Sequence, residues 1–223
     1  MPPKTVEDIY KKTDLHSHIL NLPDTYIGRT QLDDISLYVF DEEKNKINEE
    51  VIKYSQGFYK CFDEIITNSR DCSIRDKTCK NISVVLNNKT GYISVWNDGT
   101  GIPICIHKEH NIYIPEMIFG NLLTSQNYNQ KGKTVGGKNG YGAKLTNIYS
   151  QEFIIETVSY NTADMNDKNK KKIYYKQKFS NNMYNKEEPE INTKIDQKTQ
   201  TYTKITYLPD YKRFEMSNMS NDM

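Results

Sequence analysis

The run Gly136-Gly137-Lys138-Asn139-Gly140-Tyr141-Gly142-Ala143-Lys144 places four glycines within seven residues, and a helix-favouring stretch continues from it to Ile148. Glycine lets a backbone turn sharply and approach a ligand without a side chain in the way. A helix that opens directly behind such a turn offers free N–H groups and the positive end of its dipole. Lys138 and Lys144 add positive charge. The combination suits phosphate groups, but it is not either of the two commonest phosphate fingerprints. No Ser or Thr follows Lys138 or Lys144, as a P-loop requires. The spacing Gly137-x-x-Gly140-x-Gly142 also comes after the polar stretch 126–133 rather than a strand, unlike the dinucleotide motif. Taken alone, the cluster reads equally well as a surface loop.

Two further motifs narrow the choice. The segment 58–71 has helical periodicity, with Phe58, Phe62 and Ile65 on one apolar stripe and Glu64, Asn68 and Asp71 repeating the spacing on the opposite side. Such a polar stripe is ordinary solvated surface. Its functional reading is a carboxylate base beside an amide that can ligate a hard cation. The third motif, Asn97-Asp98-Gly99-Thr100-Gly101, follows the alternating stretch 92–96 and has the composition of a tight turn at a strand end.

In this order the three motifs resemble the GHKL ATPases, the superfamily of DNA gyrase and type II topoisomerases, heat-shock chaperone ATPases, histidine kinases and MutL. Flanking segments point to one branch. Leu22-Pro23-Asp24-Thr25-Tyr26-Ile27-Gly28, Ile118-Phe119-Gly120-Asn121-Leu122-Leu123-Thr124-Ser125 and Ile205-Thr206-Tyr207-Leu208-Pro209-Asp210 look like the ATPase domain of eukaryotic-type topoisomerase II. The similarity runs in order through nearly the whole chain.

The resemblance implies an α+β Bergerat fold. A mixed, mostly antiparallel sheet would carry helices on one face, with a flexible ATP lid at 125–139. An N-terminal arm would occupy 1–28 and the nucleotide-binding domain 29–223. By the same resemblance, Glu64 would be the general base and Asn68 the Mg²⁺ ligand. Asn97 would bind adenine, with Ser125, Gln126 and Asn127 near the ribose and phosphates. Gly137, Lys138, Asn139, Gly140, Tyr141, Gly142, Ala143 and Lys144 would wrap the triphosphate. Tyr10 would reach the nucleotide of a partner protomer. The implied setting is a nuclear, ATP-dependent homodimer that meets duplex DNA through other domains. The alternative is a stand-alone nucleotide-binding module of chaperone or MutL type. Cys72 stands where relatives often carry a second asparagine, Gln126 replaces a small serine, and Asp14 and Ser17 depart from the usual basic arm. The transducer and DNA-cleavage domains are expected outside this chain, leaving weak hydrolysis and weak dimerisation in it.

Bulk properties agree. At 223 residues the chain suits one domain, and its net charge of +1 lacks the basic excess that duplex binding normally needs. No apolar run is long enough for a membrane span. Cys61, Cys72, Cys79 and Cys105 read as free thiols. His16/His18 and His107/His110 have short spacings, but no carboxylate set is expected to complete a metal site. Expected elements are helices at 15–20, 57–71, 115–124 and 142–149. Strands are expected at 37–40, 82–86, 92–96, 153–158, 173–179 and 202–208. The polar stretches 161–172 and 180–200 read as loops.

Overall fold

The computed structural model describes residues 14–122 and 142–219. Asp14 caps the first helix, α1 (Leu15–Asn21), by accepting from the Ser17 N–H at 3.0 Å. Its departure from a basic arm thus serves a helix start. A one-turn helix, α2 (Pro23–Tyr26), begins with proline. A hairpin of β1 (Asp33–Asp41) and β2 (Lys46–Tyr54) follows. The long helix α3 (Gln56–Arg75) is capped by Ser55. Next come β3 (Ile82–Leu86), β4 (Ile93–Asp98), α4 (Ile114–Gly120) and α5 (Gly142–Ile148). The chain continues through β5 (Ser150–Tyr160), β6 (Lys172–Ser180), β7 (Asn185–Lys186), β8 (Glu190–Asn192) and β9 (Tyr202–Pro209), then a 3₁₀ turn at Tyr211–Phe214.

The main sheet runs β3-β4-β9-β5-β6-β7, with β8 also on β6, and every pairing among the described residues is antiparallel. Strict alternation decides which face is buried. Ile93, Val95, Phe153, Ile155, Tyr175, Phe179, Ile205 and Tyr207 point inward. The opposite face carries a polar ladder, with Lys204–Glu156 at 3.1 Å, Lys178–Glu152 at 2.8 Å and Ser94–Thr206 at 3.0 Å. The helices cover the apolar face. In α5 every residue after Gly142 is buried, and it packs on both α3 and α4. Thr146 donates to the Cys61 carbonyl at 2.8 Å, and Asn147 to the Phe119 carbonyl at 3.0 Å. The Tyr149 hydroxyl donates to the Ile19 carbonyl, tying α1 into the core beside the buried Ile19 and Leu20.

Phe153 is fully buried among Phe119, Phe179 and Tyr207, with ring centroids 5.9, 6.5 and 6.4 Å away. Phe153→Ala is therefore expected to lower stability by about 3–5 kcal/mol, read as a shifted urea midpoint at unchanged slope.

The expected hairpin at 82–96 is present, turned by Asn87, whose side chain accepts from the Lys89 and Thr90 N–H groups, and by Gly91 at φ 77°. The expected strand at 37–40 is only the middle of β1, and β2 was not anticipated. The reason is physical: Tyr38, Phe40, Ile47 and Val51 on one hairpin face remain 56–78% exposed, so no simple inward–outward pattern marks these strands. The 180–200 stretch contains β7 and β8, short polar strands paired to β6, with Lys186 of β7 also ion-paired to Glu116 of α4 and Ile191 of β8 packed on the core.

Candidate functional site

Glu64 lies on the α3 face that meets the start of α5. Its Oε1 is 2.7 Å from Lys60 Nζ, which also reaches Asp63 Oδ2 at 2.9 Å. Burial opposes the Lys60 charge, but the two carboxylates outweigh it and hold the ammonium above its ordinary pKa. Oε2 lies against Gly142: a Cβ there would overlap this oxygen and stand 2.9 Å from Glu64 Cδ. Only glycine allows the backbone that opens α5 to come this close to the carboxylate.

Asn68, one turn further along α3, is exposed and makes no side-chain hydrogen bond among the described residues. Asp71, expected on an open polar face, is instead buried, and its Oδ1 has no hydrogen-bond partner among the described residues. The face therefore grades from half-buried Glu64 through exposed Asn68 to buried Asp71. At the start of α5, Ala143 and Lys144 are buried, and desolvation pushes the Lys144 pKa down to about 8.

Asn97 is buried at the end of β4, paired with Thr203 of β9. Its amide nitrogen donates to the Asp98 carbonyl at 2.7 Å and faces the Cys72 and Cys79 sulfurs at 3.7 and 3.8 Å. Cys72 thus contacts the very amide expected to read the base. Both donor hydrogens of Asn97 are directed to protein acceptors, which leaves its carbonyl oxygen as the group to offer a ligand.

Sequence reasoning missed how the turn after β4 is held. Asp98 is engaged by neighbouring backbone and side chain: it accepts from the Lys80 N–H at 2.6 Å, the Asn81 N–H at 2.9 Å and the Asn81 side chain at 2.8 Å. Burial works against its ionisation, but these donors keep its pKa below the usual carboxylate value. Asp76, just past α3, accepts from the Thr100 N–H at 2.6 Å. Here too burial is outweighed, by donors from Thr78 and Thr100, and the pKa falls to about 2. Ser159 donates to the Thr100 carbonyl at 2.7 Å, and Thr201 donates to that of Gly99. Gly99 and Gly101 sit at φ 112° and 70°, and a Cβ on Gly101 would stand 2.7 Å from the Val158 carbonyl. The available signal was polar Thr157 and Ser159 at inward strand positions.

The structure brings Glu64, Gly142, Ala143 and Lys144 together where α3 meets α5, and sets Asn97 beside the C-terminal part of α3 through Cys72. Tyr10, Ser125, Gln126, Asn127, Gly137, Lys138, Asn139, Gly140, Tyr141 and the lid at 125–139 lie outside the described residues. A separate cleft at the foot of the hairpin, lined by Arg29, Asp33, Ile35, Leu37, Tyr54 and Gln56, shares no residue with this cluster.

The chain matches no protein-family model. It is 49% identical over 225 residues to the DNA topoisomerase 2 of Acanthamoeba polyphaga mimivirus, covering 99% of this chain and 17% of that protein. The solved ATPase region of Saccharomyces cerevisiae topoisomerase II superposes with a TM-score of 0.88 at 44% identity, over 97% of this chain and 55% of that one. The ATPase and transducer domains of DNA topoisomerase II from Balamuthia mandrillaris give 0.87 at 40%, over 98% and 54%. The fold is accordingly the GHKL ATPase fold. By sequence and by architecture, the chain belongs to the eukaryotic-type DNA topoisomerase II family, and it spans about half of the solved ATPase regions it matches.

Proposed function

We propose that this chain binds ATP with Mg²⁺ and hydrolyses it, as the ATPase module of a type II DNA topoisomerase in which nucleotide turnover drives subunit closure and strand passage. The observation that carries the reading is the placement of Glu64 directly against Gly142 at the head of α5. A carboxylate held there can orient and deprotonate a water molecule for attack on a phosphate lying along the α5 start. Lys60 positions that carboxylate. The carbonyl of Asn97, with its amide engaged elsewhere, suits the adenine amine and opposes the keto group of guanine.

The oxygen donors present fit Mg²⁺: an unengaged amide on Asn68 and a buried Asp71 oxygen that has no hydrogen bond, only the Arg70 guanidinium at 3.9 Å, are the hard ligands this ion prefers. Asn68 would hold the ion, which when bound would neutralise phosphate charge. Ser125, Gln126, Asn127 and residues 137–141 would complete the phosphate and ribose contacts, with Ala143 and Lys144 behind them. Tyr10, in an arm spanning 1–28, would contact the nucleotide of a second copy. In the full enzyme this module would work in the nucleus, within a homodimer that meets duplex DNA through other domains. Among the described residues no helix is long and apolar enough to cross a membrane.

Calorimetry with a non-hydrolysable ATP analogue and Mg²⁺ is expected to show one saturable site per chain, with the matched GTP analogue binding much more weakly. Equal affinity for the two would remove the role given to Asn97.

A further inference from the structure

The segment between the turn after β4 and α4 has no part in the site described above, yet it gathers three metal-ligating side chains. Isolated bridge pairing of Ile106 with Tyr113 closes a short loop. Inside it the His107 N–H donates to the Ile112 carbonyl, and the Asn111 N–H donates to the His107 carbonyl, both at 2.8 Å. Asn111 takes the left-handed conformation, at φ 52°, that completes the turn. A second bond, from the Ile114 N–H to the Cys105 carbonyl at 3.0 Å, fastens the loop to the start of α4.

This closed loop brings the side chains of His107, Glu109 and His110 together, with one ligand atom from each lying within 4.8 Å of the others. The two imidazole rings are stacked, with centroids 4.7 Å apart and planes inclined by 20°. No carboxylate was expected to join the closely spaced His107 and His110, but an oxygen of Glu109 lies within 4.8 Å of both. His107 adds an independent sign, because its Nδ1 is buried and has no hydrogen-bond partner among the described residues. An imidazole nitrogen removed from water without a partner is costly, and a bound cation is one way to satisfy it. His16 Nδ1 is likewise buried without a partner, but His16 Nε2 bonds the Asn182 carbonyl oxygen at 2.7 Å, His18 Nδ1 bonds the Tyr26 hydroxyl at 2.9 Å, and among the described residues no three-ligand group forms around them.

We propose that His107, Glu109 and His110 form a binding site for a borderline divalent transition metal ion of the Zn²⁺ class. Two neutral imidazoles and one carboxylate make a donor set that suits such ions and does not suit Mg²⁺ or Ca²⁺, which take oxygen ligands. Three protein ligands on an accessible loop leave a fourth position for water. Turning the exposed His110 ring out of its stack on His107, together with rotation of the exposed Glu109, would bring the donors onto one ion, while the backbone hydrogen bonds keep the loop in place. The site is separate from the one proposed for Mg²⁺ at Asn68.

The test uses the tag-free full chain without nucleotide. Zn²⁺ titration by calorimetry should give one saturable site. Co²⁺ substitution should give visible d–d bands, and Zn²⁺ should raise the melting temperature by mass action. His110→Asn and Glu109→Gln alter exposed side chains and should leave the fold intact. Losing even a hydrogen-bond partner of a metal ligand costs about 10–100-fold in affinity, so each variant should lose at least that much, together with the Co²⁺ bands. A wild-type chain with no saturable Zn²⁺ uptake would overturn the proposal. So would variants that bind Zn²⁺ as tightly as the wild type, which would place the ion elsewhere, for instance on His16 or His18.

Discussion

Glu64→Gln is expected to lower ATP turnover by about a hundredfold or more, the usual contribution of a general base, while nucleotide affinity stays within a few-fold. The amide keeps the size of the side chain and can still meet Lys60, but it cannot take a proton from water. Steady-state hydrolysis and analogue titration on the same preparation separate the two effects. Parent-level turnover in the variant would show that the carboxylate beside Gly142 is not the base. Loss of binding with loss of turnover would instead assign Glu64 to holding the nucleotide.

Gly142→Ala should produce a comparable loss by another route. The added methyl would overlap Glu64 Oε2, the far end of a flexible side chain. The carboxylate can swing aside at little cost, so the melting temperature should hardly move. The base, however, would no longer stand where Lys60 and the α5 backbone place it. Misplacement of a catalytic group by about 1 Å costs on the order of a hundredfold. The expected pattern is a folded, nucleotide-binding chain with collapsed turnover. A large drop in melting temperature would show that position 142 matters through packing, and unchanged turnover would show that the close approach is incidental.

How far these features could be read beforehand varies with the physics behind each. The long helix was legible because Phe58, Phe62 and Ile65 keep helical spacing and do pack on the core. The β3–β4 hairpin was legible because Asn87 and Gly91 carry turn chemistry between two apolar runs. Glu64 and Gly142 could be named from motif order, but their contact could not, since it depends on how α3 crosses α5. Asp71 was misread because burial of one carboxylate at the end of a polar stripe is a tertiary outcome that helical periodicity does not encode. Burial of Glu116 is likewise a tertiary outcome: it sits against Gln177 and in an ion pair with Lys186 at 2.7 Å that crosses from α4 to β7. Strands β7 and β8 carry almost no apolar signal and form against the edge that β6 offers.

The turn after β4 behaves distinctively toward protons. Its two anchors, Asp76 and Asp98, are carboxylates whose acidity is strengthened by the backbone they hold. Each therefore favours the folded form fully at pH values above the ordinary carboxylate value near 3.8, and that contribution fades as pH falls from there toward the lowered native value, about 2 for Asp76. Across the mildly acidic range the platform that carries Asn97 has no proton to gain at these two points. Acid sensitivity seen between neutrality and pH 4 must arise in other parts of the molecule, and the turn would be among the last elements to yield.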